Sequence, residues 1–130
     1  MKIITLDGPA GVGKSSTARA LAHELGWYHM DTGAMYRSVA LAALEQDISL
    51  ENEKDLAELA ASLDIHFAHG NVFLNGKNIT AEIRIDRVTT ATRFVADAPA
   101  VREEMKKMQR SLSKEFNLVT EGRDQGTIVF

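Results

Sequence analysis

The chain has 130 residues, enough for one domain with a sizeable core, and its 45% apolar and 25% charged residues are an ordinary globular balance. Cysteine is absent, which excludes a disulfide frame, a thiolate metal site and a cysteine nucleophile. A net charge of −3 excludes a surface built to coat nucleic acid, and no apolar run approaches the roughly 20 residues that span a bilayer. A soluble, cytoplasmic protein is therefore expected, with no nucleic-acid or membrane partner and with any anion bound locally.

The first element is a strand. Lys2-Ile3-Ile4-Thr5-Leu6-Asp7 is short, apolar and β-branched, as a buried parallel strand should be. It runs into Gly8-Pro9-Ala10-Gly11-Val12-Gly13-Lys14-Ser15, a complete G-x-x-x-x-G-K-S loop. Glycines let such a backbone turn its N–H groups onto an anion, and a following helix adds the positive end of its dipole. In this motif Lys14 reaches the β and γ phosphates and the Ser15 hydroxyl ligates their magnesium. A helix is predicted next from Ala18, Leu21, Ala22 and Leu25 at i, i+3, i+4 and i+7, with Gly26 as its stop. Strand, loop and helix together predict a nucleoside triphosphate site.

Trp27-Tyr28-His29-Met30 reads as the second strand, which brings Asp31 and Thr32 to the carboxyl edge where α/β sheets bind ligands. A helix is predicted over residues 34–44, with Thr32 suited to its N-cap and Arg37 about one turn in, aimed at the same edge. A further amphipathic helix is predicted over residues 49–63 from Leu56, Leu59, Ala60 and Leu63.

The pattern then changes. Three short runs, Ile65-His66-Phe67-Ala68, Val72-Phe73-Leu74 and Lys77-Asn78-Ile79, are separated by the turn signals Gly70-Asn71 and Asn75-Gly76. They predict a small antiparallel sheet inserted into the α/β core to hold a substrate. His66 and His69 are expected in that sheet on opposite faces, and His23 and His29 stand isolated, so no zinc site is expected. Residues 81–98 carry Val88, Ala91 and Val95 at helical spacing among Arg84, Arg87 and Arg93. Pro99 is expected to open a last helix with Val101, Met105, Met108 and Leu112 buried. Arg102, in its first turn, opposes the helix dipole and calls for an external partner. Leu118-Val119-Thr120 is read as a buried strand, broken at Glu121 by the glycine-flanked charges of Glu121-Gly122-Arg123-Asp124, which read as site residues facing the phosphate loop. The expected fold class is α/β, a P-loop NTPase fold with a parallel sheet flanked by helices. Its core is expected over residues 1–61 and 97–130, with the monophosphate-binding insert at about 62–96.

Four segments together resemble bacterial cytidylate kinases: the phosphate loop, Asp31-Thr32-Gly33-Ala34-Met35-Tyr36-Arg37, Val101-Arg102-Glu103, and Glu121-Gly122-Arg123-Asp124 with Gly126-Thr127. The resemblance holds in order and spacing along the whole chain. It implies transfer of the γ-phosphoryl group of ATP to CMP or dCMP in pyrimidine nucleotide metabolism, with magnesium as cofactor and a monomeric enzyme. It implies ATP contacts from Gly8, Pro9, Ala10, Gly11, Val12, Gly13, Lys14, Ser15 and Ser16, and substrate contacts from Asp31, Thr32, Arg37, Arg102, Arg123 and Asp124. Thr32 and Arg37 would meet the acceptor's ribose and phosphate, Arg102 and Asp124 its cytosine, and Arg123 its phosphate. Lys14 and Arg123 would be catalytic, and Glu121 would join Ser15 at the magnesium, acting through water.

Two departures accompany the resemblance. Nine residues before Arg102 the family usually has a serine that contacts the cytosine amino group; here it is Arg93, whose guanidinium cannot accept a hydrogen bond. Thr92 or Asp124 then takes over, or base selectivity is looser. The family also continues past the strand that ends at Phe130, so the chain as given is expected to bind nucleotide and to turn over poorly. Rival readings are a P-loop kinase for AMP, UMP or a sugar acid, a GTPase switch, for which no N-K-x-D guanine signature is present, and a nucleotide-binding fragment without activity.

Overall fold

In a computed structural model, which describes residues 2–7 and 14–122, three parallel strands form the floor of the molecule. β1 (Ile3–Asp7) and β2 (Tyr28–Asp31) are consecutive in the chain yet do not pair. The last described strand, β6 (Leu118–Gly122), lies between them, in register from Ile3↔Leu118 to Asp7↔Gly122 on one side and from Tyr28↔Leu118 to Asp31↔Glu121 on the other. All three strands run the same way, so Asp31, Glu121 and Gly122 share one carboxyl edge. The expected α/β class with a parallel sheet flanked by helices is what forms.

Side-chain alternation divides the two faces of this sheet. Val119 packs with Ala18 and Ala22 of α1 (Lys14–Leu25), while its neighbour Leu118 joins Met30 in the larger core on the opposite face. α1 ends where the sequence indicates: Gly26 takes φ +69, a conformation that favours glycine. α2 (Thr32–Glu45) runs through the larger core with nine buried residues, from Thr32 to Ala43, so it is apolar nearly all round rather than on one stripe. Against it pack α3 (Glu53–Ser62) and α4 (Asp86–Asp97), and α5 (Pro99–Glu115) packs in turn on α3 and α4. Pro99 opens α5 as expected, and the carboxyl of Glu53, reaching from α3, accepts the Ala100 N–H at 2.8 Å in its first turn.

The small sheet is present as expected: β3 (Ile65–Ala68), β4 (Asn71–Leu74) and β5 (Lys77–Asn78) pair antiparallel in that order. Both turns use two residues with positive φ, His69-Gly70 (52° and 81°) and Asn75-Gly76 (49° and 86°), the backbone that matches strand twist in a tight hairpin. The first turn therefore falls one residue earlier than Gly70-Asn71, and His69 sits in the turn rather than in the sheet beside His66. One side chain ties the two sheets together. The Tyr28 hydroxyl accepts the Phe67 N–H at 2.7 Å and lies 3.2 Å from His66 Nδ1, while its ring stacks on Phe116 with centroids 4.8 Å apart.

Four other expectations are corrected. The N-cap of α2 is Asp31, whose Oδ1 accepts the Ala34 N–H at 3.0 Å, because Thr32 is engaged elsewhere. α3 begins only after Asn52, which caps it through Asp55 N–H at 3.0 Å, and not at Ser49. Residues 81–98 do not form one helix: a 3₁₀ turn over Glu82–Arg84 is followed by extended Ile85 before α4 starts. Glu121 does not break β6 but belongs to it, since pairing on both sides carries the strand to Gly122.

Candidate active site

A broad cleft opens on the carboxyl edge of the parallel sheet and extends to the insert. Six residues singled out from the sequence line it: Ser16, Asp31, Thr32, Arg37, Arg102 and Glu121. Lys14 and Ser15 open α1 at the same edge. Gly8, Pro9, Ala10, Gly11, Val12 and Gly13, together with Arg123 and Asp124, lie outside the described residues.

The floor of the cleft is held by a clasp between strand and helix. The buried Thr32 hydroxyl donates to the Glu121 carbonyl at 2.8 Å, fixing the first turn of α2 to the end of β6. Glu121 is itself buried at 2% exposure, and its Oε2 lies 3.3 Å from His29 Nε2. His29, expected to be isolated, is thus the neighbour of a site carboxyl. Nothing local announces this pair, because 92 residues separate its members. Asp31 completes the cluster. Burial raises its carboxyl above the ordinary range against the lowering effect of the Ala34 N–H, and the nearby Glu121 charge adds to the rise.

The outer wall is basic. Arg37 reaches from α2 to the insert, where its Nη1 donates to the Ile83 carbonyl at 2.9 Å and to the Thr89 hydroxyl at 2.8 Å. Arg102 lies exposed in the first turn of α5, close enough to Tyr36 that its charge opposes the upward push of burial on the phenol. Tyr36 and Gln109 also line the cleft and were given no role by sequence reasoning. Tyr36 lies one residue from Arg37 inside a recognisable motif; Gln109 carries no signal in the sequence beyond its place on the buried stripe of α5.

Chemically, the edge combines a helix N-terminus, whose dipole favours anions, with the half-buried Asp31 and buried Glu121 carboxyls and with arginines from α2 and α5 that line the same open space. Among the described residues no group of three histidine, aspartate or glutamate side chains could hold a metal ion by itself. Magnesium fits such a site, because it is carried mainly by phosphate and water with one or two protein oxygens. Among the described residues no helix is long and apolar enough to cross a membrane.

The family model described as cytidylate kinase matches residues 4–130. Among curated relatives, the cytidylate kinase of Shewanella frigidimarina is 45% identical over 134 residues, covering 98% of this chain and 58% of its own length. That of Shewanella denitrificans is 45% identical with 98% and 59% covered, and that of Rhodopirellula baltica 44% identical with 98% and 56% covered. The chain thus spans less than three-fifths of the length of these relatives, and the match runs through the loop, the insert and the end of β6. On that match the chain belongs to the cytidylate kinase family.

Proposed function

We propose that this protein transfers the γ-phosphoryl group of ATP to CMP or dCMP, giving ADP and CDP or dCDP. The observation that carries the reading is the family match from residue 4 to residue 130, which spans every segment lining the cleft. ATP sits on the loop of residues 8–13 and the start of α1, with Lys14 on its β and γ phosphates. The acceptor nucleotide lies between α2, α5 and the insert of residues 62–96, its ribose and phosphate met by Thr32, Arg37 and Arg123. Arg102 and Asp124 hold its base, and Asp31 keeps the floor in shape by capping α2. Phosphoryl transfer needs alignment and neutralisation more than covalent help. Arginines held at fixed positions meet both needs, since each can grip a phosphate oxygen pair without reorganising. Magnesium, when bound, neutralises oxygens of the transferred phosphate. Ser15 and, through water, Glu121 are the residues that would hold it, and the buried position of Glu121 beside His29 suits a fixed acceptor of water protons.

The test is acceptor-dependent release of ADP from ATP, followed with CMP, dCMP, UMP and AMP. CMP and dCMP should be the best acceptors. Lys14→Ala should abolish turnover, and Arg123→Ala should lower kcat/KM for CMP about 10- to 100-fold, the worth of one charge-assisted contact of roughly 1.5–3 kcal/mol. Unchanged kinetics in either variant would remove that residue's role, and equal rates with AMP would remove the acceptor assignment.

A further inference from the structure

Arg37 is half-buried in the wall of the cleft, where Ile83 and Thr89 line the same space. Its Nη1, which carries two hydrogens, has two acceptors: the Ile83 carbonyl at 2.9 Å and the Thr89 hydroxyl at 2.8 Å. Both acceptors are neutral, and both belong to the insert, 46 and 52 residues along the chain from the arginine. Among the described residues no carboxylate pairs with Arg37, and neither its Nε nor its Nη2 has an acceptor. The protein therefore fixes one corner of the guanidinium and leaves its charge to be met by an anion from outside.

We infer that Thr89 is a positioning residue for the acceptor phosphate. With the Ile83 carbonyl it occupies Nη1, fixes the plane of the guanidinium, and reserves the Nε–Nη2 edge for two oxygens of the phosphate. This rests on the reading of the cleft as a CMP site with Arg37 at the acceptor phosphate, and adds the group that orients that arginine. The gain is preorganisation. A free arginine must give up the freedom of a long side chain when it grips a ligand, whereas one already bonded at Nη1 has lost much of it beforehand. The chemistry of the hydroxyl suits the task, since a carboxylate at that position would neutralise the charge that the phosphate needs. Its mounting suits it too. Thr89 stands in the first turn of α4, a regular helix packed on α2, so the hydroxyl meets the arginine from a fixed element.

The experiment is calorimetric titration with CMP of the wild type, Thr89→Val, Thr89→Ser, Arg37→Met and the double variant Arg37→Met with Thr89→Val, alongside the melting temperature of each. Valine keeps the branched shape and removes the acceptor; serine keeps the acceptor. Thr89→Val should melt as the wild type does and bind CMP about three- to tenfold more weakly, the cost of ordering one long side chain on binding. Thr89→Ser should bind as the wild type does. In the Arg37→Met background the valine should weaken CMP no further, because its effect runs through the arginine. Wild-type affinity in a normally melting Thr89→Val protein overturns the inference, and so does an equal loss with and without Arg37. Should a variant fold or bind too poorly to measure, the guanidinium resonances of wild-type Arg37 decide. Nη1 and Nη2 should give separate signals without ligand, and CMP should move Nε and Nη2 more than Nη1; one averaged Nη signal overturns the assignment. Failure of the folded wild type to bind CMP removes the proposed function and this inference together, whereas CMP binding indifferent to Thr89 removes only the role of Thr89.

Discussion

Asp31 carries two loads on one carboxyl, since its Oδ1 caps α2 while the half-buried group lies within the field of Glu121. Burial raises its pKa, so the folded chain holds the proton more tightly than the unfolded chain does. The sign follows from linkage. The stabilising contribution is fully present below the unfolded value of about 4 and is lost as pH rises through the higher folded value. Asparagine caps a helix as well as aspartate and does not ionise. The unfolding free energy of the wild type minus that of Asp31→Asn should therefore fall as pH rises from 4 towards 8 in urea titrations, and a difference independent of pH would show that the buried charge is relieved in some other way. This residue also marks the limit of legibility at its scale. Asp31 and Thr32 are both good caps standing side by side, and the sequence alone favours Thr32. The choice is made by the Glu121 carbonyl, 89 residues away, which occupies the Thr32 hydroxyl and leaves the cap to Asp31. His29 escaped for the same reason, since its partner Glu121 lies 92 residues away.

Elements were more legible than residues wherever a local period or turn decided them. The i, i+3, i+4 spacing of Ala18, Leu21 and Ala22 and the glycine at position 26 mark α1, and the Asn-Gly pair marks the second hairpin of the insert. Boundaries set by pairing were less so. β6 continues through Glu121 because Leu6 and Asp31 stand beside it on either side, and no local property of a glutamate followed by glycine signals a central strand. Ile85 interrupts the helical pattern of residues 81–98 with an extended conformation, and β-branched isoleucine fits that without altering the period around it. The joint between the two sheets rests on Tyr28, whose hydroxyl accepts the Phe67 N–H and whose ring stacks on Phe116. Tyr28→Phe keeps the stack and removes the acceptor. It should cost about 1–2 kcal/mol of unfolding free energy, the penalty of a backbone N–H left without its partner. Amide exchange at Phe67 should quicken more than at Ile79 on the far side of the insert. Uniform quickening across β3, β4 and β5 would mean that the hydroxyl supports the whole sheet rather than its junction with β2.

For the molecule as a whole, the order β1-β6-β2 matters more than any single contact. Inserting the last strand between the first two brings segments from residues 7, 31 and 121 to one edge, and the insert and α5 then wall the space above it. The glycine-rich loop at the start of the chain and the charged segment after β6 stand out in the sequence because glycine and charge patterns are local, and both lie outside the described residues. That Asp31, Thr32 and Glu121 meet in one cleft is a property of strand order, which the alternation of strand and helix suggested and long-range pairing completes. The central claim is that this cleft takes a cytidine monophosphate as acceptor. Calorimetric titration of the chain with CMP, against UMP and AMP, tests it most directly. One CMP should bind per chain, more tightly than UMP and much more tightly than AMP. No binding of any monophosphate by a folded sample, or a preference for AMP, would contradict it.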